Sequence, residues 1–264
     1  MHSDCFFFTG KSHNVCEDYS RCGRTNMGAS YAIISDGCSS SEHTDIGARI
    51  LVCSAEERIA TTHENLFDKK FIDNAARICS CFPGVDTDCL DATLLSVISD
   101  DILVWIQVIG DGVLGFINND DSLDIIDIEY PSGAPWYLSY SLNKEREDKY
   151  IEKYGTKAII SSTKDGTITE QKERFQYFYV DRLAYKAILL MSDGVKSFTK
   201  KVVSDSSKGN VPITYHEVLK ELLAFKGYQG EFIKRRVKRF IKDMPKLGWE
   251  NYDDVSVAGI YLGE

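Results

Sequence analysis

Apolar positions along the chain fall in short runs at 5–9, 31–35, 93–98, 102–109, 113–117, 123–128, 158–161, 175–180, 186–191 and 255–262. Runs of this length, bounded by Gly, Asp and Asn, predict strands. Over 45–64, 68–79, 214–226 and 231–243 the spacing changes to three or four residues, as in Ile233, Val237, Phe240, Ile241 and Met244, which predicts helices. The 102–109 and 113–117 runs are separated only by Gly110-Asp111-Gly112, a tight turn that favours antiparallel pairing over βαβ crossovers. Strands therefore dominate, with helices in two blocks, and the expected class is a layered α+β fold. The stretch 139–157, carrying Lys144, Glu145, Arg146, Glu147, Asp148 and Lys149, is the most polar and is expected to be an exposed excursion.

Composition narrows the function. With 264 residues, 43% of them hydrophobic, the chain can bury a substantial core. No repeat, low-complexity tract or linker rich in Gly, Ser or Pro divides it, so one domain over 1–264 is expected. Forty acidic residues against 31 basic ones give a net charge of −9, which disfavours a nucleic-acid partner. No run approaches the ~20 apolar residues of a membrane span. Phe6 to Phe8 is too short for a signal peptide, so a cytoplasmic location without a membrane partner is expected. The eight cysteines (5, 16, 22, 38, 53, 79, 81 and 89) form no Cys-x-x-Cys pair, and the His-Glu pairs at 63–64 and 216–217 lack a second His at helical spacing. Reduced thiols are expected and structural zinc is not.

The informative pattern is a repeated one. Ala32 to Gly37 and Ile188 to Gly194 each run an apolar strand into Ser-Asp-Gly, and Val108-Ile109-Gly110-Asp111-Gly112 is a third version. One Asp-Gly is most simply a turn. Three, together with Glu17-Asp18 after the first strand and Asp253-Asp254 before the last, put carboxylates at strand ends and supply the oxygen ligands that magnesium or manganese prefers.

In this order the motifs resemble those of the metal-dependent protein phosphatases of the 2C type, in a compact bacterial-like form. Glu17-Asp18, Asp36-Gly37, Ala92-Thr93, Gly110-Asp111-Gly112, Ser192-Asp193-Gly194 and Asp253-Asp254-Val255-Ser256-Val257 match the family's motifs in sequence, over nearly the whole chain. The resemblance implies a four-layer αββα sandwich, two packed antiparallel sheets flanked by helices, with metals in a cleft at one end. It implies that Asp36 bridges two Mg²⁺ or Mn²⁺ ions, that the Gly37 carbonyl binds one, and that Asp193 and Asp253 hold the other. Asp111 with Asp193 would bind a third, weaker ion, and Glu17 and Asp18 would act mainly through metal-bound water. The implied activity is hydrolysis of phosphoserine and phosphothreonine in proteins by direct attack of a metal-bridging hydroxide, in a monomer acting on a phosphoprotein, such as a kinase-pathway component.

The chain departs from this pattern in three places. Where relatives commonly place a phosphate-gripping arginine, it has His13, with Lys11 nearby, so these two become the candidates for phosphate binding, and His13, with Asp36 and Asp193, for catalysis. After Asp36-Gly37 it reads Cys38-Ser39-Ser40-Ser41-Glu42-His43, which leaves the general acid open between His13 and His43 and offers serines as a helix N-cap. The region 130–175, with Pro131, Gly133, Pro135, Trp136 and Tyr137, stands where relatives carry a variable flap; such an aromatic cluster is most simply a loop packed on the sheet. The basic helix bearing Lys234, Arg235, Arg236, Lys238, Arg239 and Lys242 reads as a solvated face or a surface for an acidic partner.

Two other readings compete. A catalytically weak or silent relative, using the same fold as a regulatory or binding module, is favoured by the missing arginine and opposed by the full carboxylate set. A haloacid-dehalogenase-like phosphohydrolase is suggested by Asp86-Thr87-Asp88, but Pro83-Gly84 denies it the preceding apolar strand.

Overall fold

A computed structural model describes residues 1–61, 66, 68–204 and 207–263. Among these are fifteen strands and five α-helices. In chain order the strands are β1 (His2–Phe8), β2 (Tyr19–Arg24), β3 (Ser30–Ser35), β4 (Leu94–Ser99), β5 (Leu103–Ile109), β6 (Gly112–Ile117), β7 (Leu123–Glu129), β8 (Ala158–Ser162), β9 (Ile168–Gln171), β10 (Phe175–Asp181), β11 (Ala187–Met191), β12 (Phe198–Ser204), β13 (Ser207–Pro212), β14 (Trp249–Asn251) and β15 (Val255–Tyr261). The helices are α1 (Thr44–Thr61), α2 (Lys69–Cys79), α3 (Lys144–Tyr154), α4 (Tyr215–Leu222) and α5 (Phe232–Leu247). The predicted end of the first helix at 62–64, with His63 and Glu64, lies outside the described residues.

All the pairings within the sheets are antiparallel. A seven-stranded sheet runs β1-β15-β11-β6-β7-β8-β9 and a five-stranded sheet β10-β5-β4-β3-β2; a small third sheet, β13-β12-β14, stands apart. Why the two large sheets stack is written in β11 and β15. Ile188, Leu190, Ala258 and Ile260 join the core shared with the five-stranded sheet. Their alternate neighbours Ala187, Leu189, Met191, Val255 and Val257 pack under α4 and α5. Strands covered on both faces need apolar side chains on both, hence the continuous runs rather than alternation. Helices α1 and α2 cover the other side of the five-stranded sheet through Leu51, Ala55, Ile59, Phe71 and Ile72. The result is the expected αββα sandwich.

The strands missing from the sequence prediction are the polar ones. Tyr19–Arg24 (YSRCGR) is an edge strand, and β9, β12 and β13 are edge or hairpin strands whose side chains offer little apolar periodicity. Within the polar stretch 139–157 a 3-10 turn at Leu138–Leu142 leads into α3, whose charged side chains are mostly exposed. Asn143 caps that helix by accepting from the Arg146 N–H at 3.2 Å, and Glu145 pairs with Lys149 one turn on, at 2.7 Å, so the charges of this stretch support a helix. The region 130–175 likewise supplies sheet edge, with β8 pairing β7 and β9 pairing β8. Trp136 is buried, as the packed-loop reading expected. Ser39 to Ser41 do not cap α1, which begins at Thr44; the Ser41 hydroxyl donates to Asp91 at 2.7 Å.

Candidate metal centre

The proposed ligands sit at strand ends from both sheets. Asp36 follows β3, Asp111 lies between β5 and β6, Asp193 follows β11, and Asp253 precedes β15. The β5–β6 connection is what brings the sheets together here, and Gly110 and Gly112, at φ 81° and 147°, adopt backbone that side chains disfavour. Past β3 the backbone continues beside 91–93: Asp36 N–H donates to the Thr93 hydroxyl at 3.0 Å, Thr93 N–H to the Asp36 carbonyl at 2.8 Å, and Cys38 N–H to the Asp91 carbonyl at 2.8 Å. A side chain at Gly37 would run into Thr44, 2.8 Å away, so glycine lets the Asp36 turn lie against α1.

Asp18, fully buried, accepts from the Ser192 hydroxyl at 2.7 Å, while its second oxygen, Oδ1, has no partner among the described residues. Its carboxyl neighbours Asp36, which in turn neighbours Asp193. Burial raises Asp18 to about 7. Burial, and then the charges of Asp18 and Asp193, raise Asp36 well above the usual carboxylate range. Burial and Asp193 lift Asp111 to about 7, with Lys196 opposing, and burial and Asp193 raise Asp253 too.

Asp193 is thus the shared neighbour of Asp36, Asp111 and Asp253. Among the described residues, no three His, Cys, Asp or Glu side chains close on a common point as a ready ligand cage. The donor set still fits a hard divalent cation: it is all oxygen, it includes a buried unpartnered carboxylate oxygen, and its crowded negative charge lacks an equal countercharge.

The loop 10–17 reaches this cluster through a residue the sequence reading passed over. Asp254, almost fully buried, accepts from Gly10 N–H at 2.7 Å and Glu17 N–H at 2.6 Å, and lies 3.0 Å from His13 Nδ1. Lys11 N–H and Ser12 N–H bond the carbonyls of Asn251 and Tyr252, so the loop is laced to the approach to β15. His13 also lies 3.5 Å from Asp253 and 3.6 Å from Glu17. Burial lowers its basicity, but the Asp254 bond and the charges of Asp253 and Glu17 outweigh this and leave it raised. Burial raises Glu17, against the pull of His13, and its Oε2, 3.6 Å from His13 Nδ1, has no hydrogen-bond partner among the described residues.

Lys11 is not brought to the cluster: its ammonium bonds Glu250 at 2.9 Å and lies 6.0 Å from the Tyr252 ring centre. His43 sits at the entry to α1 with φ 60° and is exposed. Other residues complete the surroundings of the site. Ser192 joins Asp18 to Ser256 N–H at 3.0 Å. Lys196, three residues beyond Asp193, bonds Asp127 and Glu129 at 2.6 Å each. Tyr137 is buried with Cys38, Asp111 and Asp36 as neighbours. Ser192, inside Ser-Asp-Gly, Asp254, inside Asp-Asp, and Tyr137, inside the aromatic cluster at 131–137, carried a signal in the sequence; Lys196 carried none.

Two antiparallel sheets between helices, with carboxylates from both sheets meeting at one end, define a hydrolase scaffold built around an acidic centre. A family model described as protein phosphatase 2C matches residues 9–225, and the chain belongs to that family: it is a protein phosphatase. No curated protein sequence matches it significantly. Among solved structures it is similar to a bacterial serine phosphatase (14% identity, TM-score 0.58, 100% of this chain and 98% of that one). It is similar too to the serine/threonine phosphatase Stp1 from Staphylococcus aureus (14%, 0.57, 99% and 95%). A third is the Mycobacterium tuberculosis serine/threonine phosphatase PstP/Ppp (14%, 0.54, 100% and 99%). At these identities the likeness establishes the fold. Among the described residues no helix is long and apolar enough to cross a membrane.

Proposed function

We propose that residues 1–264 form one phosphatase domain that hydrolyses phosphoserine and phosphothreonine in proteins with Mg²⁺ or Mn²⁺. The observation that carries this reading is the fully buried Asp18, whose Oδ1 has no hydrogen-bond partner among the described residues, next to Asp36 and through it Asp193, a costly arrangement without a cation. Asp36, the Gly37 carbonyl, Asp193 and Asp253 would hold two ions, Asp111 with Asp193 a weaker third, and Glu17 and Asp18 would support them through water. Bound there, the ions would supply Lewis acidity toward water and charge for the phosphoryl oxygens.

The chain's own residues then do the following. Asp36 and Asp193 orient the site from opposite sheets, while the Asp18–Ser192 bond fixes the buried carboxylate beneath them. Asp254 holds loop 10–17 in place, and with it Glu17 and His13. His13, kept basic by three carboxylates, places a proton at the mouth of the cluster and is the group nearest to the role of the missing arginine. Lys11, paired with Glu250, would have to leave that partner to reach a phosphate.

Asp36→Asn and Asp253→Ala are each expected to abolish manganese-dependent release of phosphate from a phosphothreonine peptide while the fold persists by circular dichroism. Undiminished turnover in EDTA, or in both variants, would overturn the mechanism. A second reading, a silent regulatory module, is favoured by the carboxylate partners that already engage His13 and Lys11. Calorimetry separates the two: manganese binding with turnover supports the enzyme, and neither supports the module.

A further inference from the structure

The basic face of α5 is not uniformly solvated. Lys234 is tied to Glu231, and Lys238 lies 5.6 Å from the Phe6 ring centre, while Arg235, Arg236 and Arg239 turn toward the loop before the helix. With Lys226, Ala224, Gly227 and the rings of Phe225 and Phe232 they line a cavity of about 250 Å³. It lies far from the acidic centre: the neighbouring Tyr228 stacks at 4.7 Å on Tyr261, the last residue of β15, whereas Asp253 and Asp254 precede that strand's first. Seven strand residues span roughly 20 Å.

The charge of this cavity is unbalanced. Four cationic side chains line it, and among the described residues Glu221 is the only carboxylate in ion-pair range of any of them, 3.7 Å from Arg236. Arg236 also donates to the Glu221 carbonyl, and Arg235 donates to the Gln229 carbonyl at 2.7 Å, which fixes the guanidinium groups against the loop. The Arg236 side chain is mostly buried and its Nε has no hydrogen-bond partner among the described residues. Burial lowers its basicity, and the nearby Arg239 adds to this against Glu221 and Asp243. A guanidinium withdrawn from water and facing another cation is costly unless an anion completes it, and its fork of donors matches a tetrahedral oxyanion.

We propose that this cavity is a binding site for a phosphate group, held by Arg236 and Arg239 with Arg235 and Lys226 at the rim, distinct from the acidic centre and independent of catalysis there. The ligand is either free phosphate or a small organic phosphate whose apolar part lies on Phe225 and Phe232; the recognition chemistry is common to both.

The test is calorimetric titration of the full chain, with magnesium and again in EDTA, using inorganic phosphate and phenylphosphonate as probes. Phosphate held at the acidic centre is lost in EDTA, so the expected result is one binding event that survives it. Tighter binding of phenylphosphonate identifies an organic phosphate, and tighter binding of inorganic phosphate the free ion. Arg239→Gln, an exposed position, and Arg236→Gln/Arg239→Gln are expected to weaken binding at least tenfold. Lys238→Gln, the same charge change on the same helix but outside the cavity, should stay within twofold. The proposal fails if no event survives EDTA, if Lys238→Gln weakens binding as much as Arg239→Gln, or if the double variant, with a native melting profile, binds as tightly as the parent.

Discussion

Asp254 and its neighbour Asp253 carry the same functional group one residue apart, yet their surroundings give them different work. Asp253, with nearly half its side chain exposed, faces Asp193; Asp254, almost fully buried, spends its two oxygens on Gly10, Glu17 and His13. Asp254→Asn keeps the volume but replaces an acceptor with a donor facing an N–H. It is therefore expected to cost about 1–3 kcal/mol of stability, read by urea denaturation, and to lower turnover by releasing loop 10–17. An unchanged midpoint together with unchanged turnover would remove the loop-holding role. The sequence identified the Asp-Asp pair and a family motif picked out its first member. Which of two adjacent acids turns inward, however, depends on residues more than 230 positions away, and no local pattern encodes that.

At the scale of elements, four of the five helices were legible and their joints were not. Apolar spacing predicts α2 at 68–79, and it forms at Lys69–Cys79 with Asp68 as N-cap, accepting from Phe71 N–H at 2.7 Å. The same carboxylate takes a 2.8 Å bond from Arg58 of α1, so one residue both starts a helix and clamps two together. The Arg58 bonds, with the Phe71 N–H, hold the Asp68 carboxyl below its usual range. Because the folded value lies below the unfolded one of about 3.9, this stabilisation is present above that value and lost as pH falls through the folded one. Asp68→Ala is expected to cost about 1 kcal/mol at neutral pH, with the gap from the parent narrowing at acid pH. A gap independent of pH would mean that the ion pair contributes nothing. Helix α3 escaped prediction because only Glu147 and Tyr150 of its side chains are buried, too few to leave an apolar period. Arg146 joins it to the buried Asp91, an anchor that no spacing rule reveals.

Over the whole molecule, the net charge of −9 is concentrated to an extent that composition cannot express: acids crowd the ends of β3, β5, β11 and β14, while cations line a cavity toward the other end of β15. If the acidic end takes divalent ions, manganese should raise the melting temperature of the parent at neutral pH and leave Asp36→Asn unmoved. A ligand at a hundredfold excess over its dissociation constant contributes about 2.7 kcal/mol. No rise in the parent would count against a metal centre. The sequence by itself determined the layered α+β class, the family, and the strand-end motifs, because buried strands must be apolar on both faces and turns at their ends must use Asp and Gly. Only the tertiary structure decided that Asp18, Asp36 and Asp193 crowd together, that Asp254 rather than Asp253 holds the N-terminal loop, and that part of a basic helix closes on a cavity. Each of these depends on distances between segments remote in the chain, and burial and charge act through those distances.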